Sequence, residues 1–419
     1  MNRQSTVLSQ LHKCVLSISF LTSTLAFSAE VEVLHWWTSG GEAKSMNVLK
    51  GMLEKKGHTW KDFSVAGGSG SSATTVLKSR VISGNPPSAA QLKKQDLMEW
   101  GEMGVLKDLN SIAAKNSWDK ALPQIVKDAV QQNNKYIAVP VNIHRVNWMW
   151  VNPKVFKKSG AKIPTTWDEF FVAAEKIKKA GFIPLAHGGQ TWQDATLFEI
   201  IVVGMAGADF YEKAFVKADT ETLKSKKMEE VLTTFRKVRN YMDKGAPGRD
   251  WNLATGMVIN DKAAMQIMGD WAKGEFINAG KKLGKDYACV SAPSTSGKFI
   301  YGIDSFAMFA GRKDAGMEDF AVSVMDEKFQ QVFNKSKGSI PARSDVSIKD
   351  FDGCAQSSRK EFKTAEVKKE LVPSMAHGMA TKASLSGEFV DIISQFFNNP
   401  KMTAEKAAKK LAKAAKYSH

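Results

Sequence analysis

The sequence predicts an α/β protein, in which helices cover mainly parallel sheets in more than one domain. Three observations predict it. Short β-rich runs alternate with helix-period segments from residue 31 onward. The 419 residues exceed the ~100–200 of a typical domain, so two or three cores are expected. With 43% hydrophobic and 24% charged residues the chain is neither disordered nor fibrous, and no apolar run reaches the ~18 residues of a membrane span.

The first segment is read apart from the fold. MNRQSTVLSQLHK carries Arg3 and Lys13 and no acid, and CVLSISFLTSTLAF is apolar but too short to cross a bilayer. Small residues Ala26, Ser28 and Ala29 follow, and the chain turns polar at Glu30. This pattern predicts a secretory signal peptide over residues 1–29. Its removal takes away two basic residues and no acid, lowering the formal charge from +16 to +14. Cys14 lies within it, behind Leu11-His12-Lys13, which is no lipoprotein box. Cys289 and Cys354 remain, 65 positions apart, and an oxidising compartment leaves both a disulfide and two buried thiols open.

VEVLHWW (31–37) alternates and is β-rich, which predicts a strand. GEAKSMNVLKGMLEKKG places Met46, Leu49 and Leu53 at helical spacing, with Gly57 where a helix stops. KDFSVAG is a second strand, GSGSSATTVLKSRVISGN a loop feeding a helix, and PPSAAQLK with KQDLMEWGEMG a further strand and helix. KYIAVPVNIHRVNWMWVN (135–152) is long enough to cross between domains. TTWDEFFVAAEKIKKAG is a helix capped by Thr165 or Thr166, with Phe170, Ala174 and Ile177 on one face and Gly181 at its end. FIPLAHGG is a strand, and the segment from Gln193 to Met242 is mostly helical. YGIDSFAMFAG (301–311) is a second crossing, and helices run from Glu318 to the end.

The densest basic run, TAEKAAKKLAKAAKYSH, aligns Ala407, Ala408, Leu411, Ala414 and Ala415 on one helical face. Its lysines are read as a solvated face rather than a nucleic-acid or membrane surface. In HWWTSGGE, adjacent strand residues point to opposite sides, so one of Trp36 and Trp37 faces away from the core near the sheet's carboxyl edge. AGGSGSSATT lacks the G-x-x-x-x-G-K-[ST] phosphate pattern and reads as a flexible turn. None of the seven histidines forms H-E-x-x-H or a zinc spacing, each on its own is read as structural, and no G-x-S-x-G elbow appears. No metal or cofactor is therefore expected. A glycosidase built on two carboxylates, such as Glu42 and Asp304, stays open as the alternative.

KYIAVP (135–140), PTTWDEF (164–170), NDKAAMQIMGDW (260–271) and KGSIPAR (337–343) occur in one order behind the signal segment. This resembles the extracellular solute-binding proteins of carbohydrate ABC importers, and HWWTSGGE resembles the glucose/mannose-binding branch. The resemblance spans residues 31 to about 400. It implies a periplasmic binding-protein fold with two lobes, residues 30–139 with 305–345 and residues 140–304 with 346–419, and a ligand cleft between them. It also implies capture of a monosaccharide, glucose first and mannose or galactose next, by a periplasmic monomer without catalysis. The sugar would pass to membrane permease subunits, and no nucleic acid would be involved. The implied sugar contacts are Trp36, Trp37, Glu42, Gln91, Lys93, Trp251, Trp271, Asp304, Lys337 and His377.

Overall fold

The computed structural model describes residues 28–312 and 316–417. The signal-peptide expectation for residues 1–29 falls almost wholly outside the described residues.

Two sheets organise two lobes. In the first, strands lie in the order Ile340–Pro341, Ala138–Arg145, Phe299–Met308, Ala89–Leu92, Glu30–His35 and Thr59–Ser64, and Leu371–Pro373 also pairs with Phe299–Met308. In the second the order is Ala288–Ser291, Trp148–Val151, Ala263–Ile267, Ile183–Leu185. The expected α/β class is present, but the sheets are mixed rather than mainly parallel. The strand Glu30–His35 pairs in parallel with both its neighbours. Phe299–Met308 runs antiparallel to Ala89–Leu92 and Ala138–Arg145, and Trp148–Val151 runs antiparallel to both of its neighbours. The βαβ units predict only the pairings they connect. The long crossing strands enter from the other lobe, and their direction is set by where the chain returns.

Each sheet supports its own core. Val33, Leu34, Leu92, Val139, Phe306 and Phe320 belong to the first, and Trp150, Phe170, Phe198, Met265, Phe389 and Leu411 to the second. The helix Gly353–Lys368 sends Ala355, Phe362 and Ala365 into the first core. The sequence reading put residues 346–419 with the second lobe; the last two helices, Ala383–Asn398 and Ala404–Tyr417, pack there, whereas the segment before them divides, with Cys354, Val372 and Met375 in the second core and Ala355, Phe362 and Ala365 in the first. The C-terminal helix docks by Ala407, Ala408, Leu411, Ala414 and Ala415, the stripe its spacing predicts. Thr166 caps the helix Trp167–Lys179 by accepting from the Glu169 amide.

The chain changes sheets between Arg145 and Trp148 and between Ser291 and Phe299, and after Pro373 it passes from the first sheet to the second-lobe helices. Phe299–Met308 pairs with first-sheet strands along its length, so the second crossing lies before it, not within 301–311. Asn147 joins the first two crossings: its Oδ1 accepts from the Ile300 amide at 3.0 Å and its Nδ2 donates to the Lys298 carbonyl at 2.9 Å. The third is held by Tyr211, which donates to the Pro373 carbonyl at 2.9 Å. A disulfide links Cys289 to Cys354, with Cα atoms 6.1 Å apart. It ties a second-sheet strand to the helix Gly353–Lys368, whose apolar face is in the first core.

Candidate functional site

A cleft of about 300 Å³ opens between the lobes. Nine of the ten expected contact residues line it: Trp36, Trp37, Glu42, Lys93, Trp251, Trp271, Asp304, Lys337 and His377. The tenth, Gln91, stands behind the wall. It is 1% exposed, accepts from the Trp36 amide at 3.3 Å and donates to Asp304 Oδ1 at 3.2 Å.

The strand Glu30–His35 delivers the tryptophan pair as alternation requires. Trp37 is 2% exposed and packs edge-on against Phe306 and tilted against Phe333. Trp36 turns the other way and is only partly buried. The Gly-Ser loop passes directly over its ring: a Cβ at Gly70 would lie 2.9 Å from it, and Gly70 has φ +103°. Only glycine fits there without strain.

Glu42 begins as a helix cap. Ser39 and Glu42 form a capping box at the start of Gly40–Lys55, which turns the carboxylate toward the cleft. There it accepts from Lys337 Nζ at 2.9 Å. Lys337 is 1% exposed and its ammonium stands 5.4 Å from the Trp37 ring centroid. It is brought there by the last turn of Glu327–Lys337, where Gly338 at φ +100° lets the chain pass under the Asp270 carbonyl.

His144 forms the floor. Its Nδ1 faces Asp270 Oδ1 in a very short contact, and its Nε2 lies 2.8 Å from Asp304 Oδ2. A carboxylate on each ring nitrogen favours hydrogen on both, the imidazolium form, although the Asn142 amide nitrogen also lies 3.0 Å from Nε2. Burial opposes that charge, but the charges and hydrogen bonds of Asp270 and Asp304 outweigh it and raise the His144 pKa. Burial would likewise raise Asp304. The hydrogen bond and charge of His144, with Lys93 and Lys337, hold it far below the usual carboxylate range instead. Asp304 comes from the first sheet and Asp270 from the loop after the second-sheet strand Ala263–Ile267, so the imidazolium links the lobes.

His377 has the opposite state. Burial, with the charges of Lys93 and His144 nearby, drives its pKa well below 6.5. The neutral ring shares hydrogen bonds with Thr196 Oγ1 at 3.1 Å and Ser69 Oγ at 3.3 Å, and it packs edge-on against Trp271 and Trp192. Lys93 donates to Ser69 O at 3.1 Å and Oγ at 2.9 Å, with its pKa lowered by burial despite Asp304 and Asp96.

Sequence reasoning missed His144, Trp192, Gln190, Asp250 and Asn252, which also line the cleft. Trp192 opens the long helix Thr191–Tyr211 and faces Trp271 at 6.4 Å. The only signal for it was the general excess of tryptophan. Read alone, His144 looks structural; its two carboxylates lie 126 and 160 positions away.

Two lobes, three crossings and a polar cleft rimmed by aromatic rings define a hinged solute receptor. The description "Bacterial extracellular solute-binding protein" belongs to the family model that matches residues 38–326, and the chain belongs to that family. A "Probable sugar-binding periplasmic protein" of Rhizobium meliloti is 44% identical over 397 residues, covering 94% of this chain and 95% of its own. A protein of the same description from Brucella melitensis is 45% identical over 386 residues, covering 92% and 91%. Among solved structures, a chitin oligosaccharide binding protein superposes with a TM-score of 0.76 at 19% identity, covering 93% of this chain and 98% of its own. The bacterial solute receptor AcbH, described with an exclusive substrate preference for β-D-galactopyranose, gives 0.78 at 17% identity over 92% and 98%. The family binds solutes and is not enzymatic, which sets aside the glycosidase alternative. Glu42 and Asp304 are each engaged by a cation, Lys337 and His144.

Proposed function

We propose that the protein captures a neutral hexose, glucose or a close epimer, in the cleft and delivers it to the permease subunits of an ABC importer. It would act in the periplasm, as a monomer, after export by its N-terminal segment. The observation that carries this reading is the pairing of surfaces in the cleft. Trp36 of the first lobe and Trp192, Trp251 and Trp271 of the second offer flat apolar faces, and Asp304, Glu42, Lys93 and Lys337 offer hydrogen-bonding charges between them. A pyranose has a C–H face for the rings and an edge of hydroxyls for the ions. Acids and cations in the cleft are largely paired, which suits an uncharged ligand. The names of the relatives point to sugars, and a cleft of about 300 Å³ sits at the small end of ligand pockets, favouring one ring. The assignment to glucose rests on the HWWTSGGE entry.

Thermal unfolding with glucose, mannose and galactose tests the reading. A ligand at a hundred times its Kd stabilises the folded state by ~2.7 kcal/mol, a shift of a few degrees. Glucose should give that shift and be recovered unaltered. No shift with any of the three at millimolar concentration would overturn the assignment.

A further inference from the structure

Glu199 does not line the cleft, yet its carboxyl is fully buried and ringed by donors. It sits on the second-lobe helix Thr191–Tyr211. Facing it is the turn 374–377, where the chain leaves the first-sheet strand Leu371–Pro373 for the second lobe. Ser374 donates its hydroxyl to Oε1 at 2.5 Å, and the Met375 and Ala376 amides donate to Oε2 at 2.9 and 3.3 Å. The fourth donor, Tyr211, belongs to the same helix as Glu199. Its single hydrogen serves two acceptors, Oε2 and the Pro373 carbonyl, each 2.9 Å away. The turn also delivers His377 to the cleft: the His377 amide donates to Ser374 Oγ at 3.2 Å, and its ring meets Thr196, one turn before Glu199.

A buried carboxylate is costly unless donors surround it. Burial pushes the Glu199 carboxyl up to about 7, and the bonds from Ser374, Tyr211 and the two amides oppose that rise. The titratable groups near it are Tyr211, which burial raises well above its usual value, Tyr301 beside Tyr211, and Lys93 of the first lobe. His377 is neutral, and Asp194, earlier on the same helix, is held by His187, Ser394 and Asn398. The helices packed on this one, Lys226–Val238 and Ala383–Asn398, bury only apolar and serine side chains. Three of the four donors belong to the turn. They stay with Glu199 only while the turn keeps its angle to the helix, and that angle is set at a hinge crossing.

We infer that Glu199 is a positioning residue for the ligand: its carboxylate fastens the turn that carries His377 to the second lobe, and it gives up a proton when the lobes close on the sugar. This rests on the hexose reading of the cleft. In the open form Glu199 keeps only Tyr211, so the acid holds its proton to higher pH than in the closed form. Closing returns three donors, and the proton passes to solvent. Sugar affinity therefore strengthens as pH rises through about 7, by ~fivefold between pH 6 and 8.

Calorimetry of glucose binding at pH 7.5 in phosphate and in Tris, whose ionisation enthalpies differ, counts the protons exchanged. The parent should release about half a proton or more per sugar, with affinity rising toward pH 8. Glu199→Gln keeps the shape without the titrating proton, so release should vanish and the affinity profile flatten. Ser374→Ala removes one donor and should move the affinity rise to higher pH. Asp96, pushed up to about 6 by burial, is the other group near Lys93 that titrates in this window. Release that persists in Glu199→Gln points to such a group and overturns the proposal. A variant that melts earlier but exchanges the same number of protons overturns it too, because Glu199 then serves folding alone. If glucose binds the parent with no proton exchanged, the proposal falls while the hexose reading stands. If glucose, mannose and galactose all fail to bind, the hexose reading fails and takes this proposal with it.

Discussion

Replacing His144 with glutamine separates the ionic role of the imidazolium from its shape. In the parent, His144 serves two carboxylates whose side chains are only 3% and 7% exposed, Asp270 and Asp304. Glutamine is neutral and its amide nitrogen can reach only one of them. Breaking a buried ion pair by removing one partner costs ~3–5 kcal/mol, because the remaining charge is left buried. Gln91 still donates to Asp304 at 3.2 Å, so the lower end, ~3 kcal/mol, is expected. Without the imidazolium the buried Asp304 takes up a proton more readily and loses its fixed orientation, and both make it a poorer acceptor for the ligand. Losing a charge-assisted hydrogen bond of ~1.5–3 kcal/mol weakens sugar binding about ten- to hundredfold.

The pH dependence has a definite sign. The folded pKa of His144 is raised, so its contribution is fully present below the unfolded value of ~6.5 and is lost as pH rises through the folded pKa. The ionisable groups facing the ring are Asp270, Asp304 and neutral His377, with Lys93 and Lys337 acting on Asp304, and the Asn142 amide also touches Nε2. Urea denaturation of parent and His144→Gln across pH 6 to 10 should therefore show the largest gap near pH 6 and a narrowing gap on the alkaline side. A gap that is constant with pH, or below about 1 kcal/mol at pH 6, would refute the imidazolium assignment.

Two further substitutions follow from the geometry. Trp37→Ala should destabilise the fold by ~3–5 kcal/mol, since it empties a site packed against Phe306 and Phe333. Trp36→Ala should leave stability nearly unchanged and cost ~2 kcal/mol of sugar binding, about thirtyfold; the reverse pattern in calorimetry and denaturation would reverse the roles given to the pair. Glu275 of the second-lobe helix Ala272–Asn278 accepts from the Gly41 amide at 2.9 Å, at the N-terminus of the first-lobe helix Gly40–Lys55. Glu275→Ala removes a contact that exists only when the lobes meet, so sugar dissociation should quicken about tenfold, for a hydrogen bond of ~1.5 kcal/mol. Stopped-flow release rates within twofold of the parent would show that this contact does not hold the closed form.

What the sequence determined by itself was local. The Thr166 cap and the Ala407–Ala415 stripe depend on residues within a few turns, and both are read directly from spacing. The alternation that sends Trp36 and Trp37 to opposite faces is a property of one strand. Nine of the ten residues carried over by motif resemblance meet in one cleft, because the motifs mark the strand ends and helix entrances that surround it. The tertiary structure decided what depends on distant partners. Sheet direction was decided where crossing strands return from the other lobe. Gln91 lies behind the cleft because Trp36 and Asp304 both bond to it there. Cys289 and Cys354 pair because folding brings their Cα atoms to 6.1 Å. His144 becomes the charged floor of the cleft through carboxylates from two other elements, Asp270 and Asp304. Local preference acts over a few residues through sterics and hydrogen bonds, whereas charge, burial and cavity shape are set by groups that only the closed chain brings together.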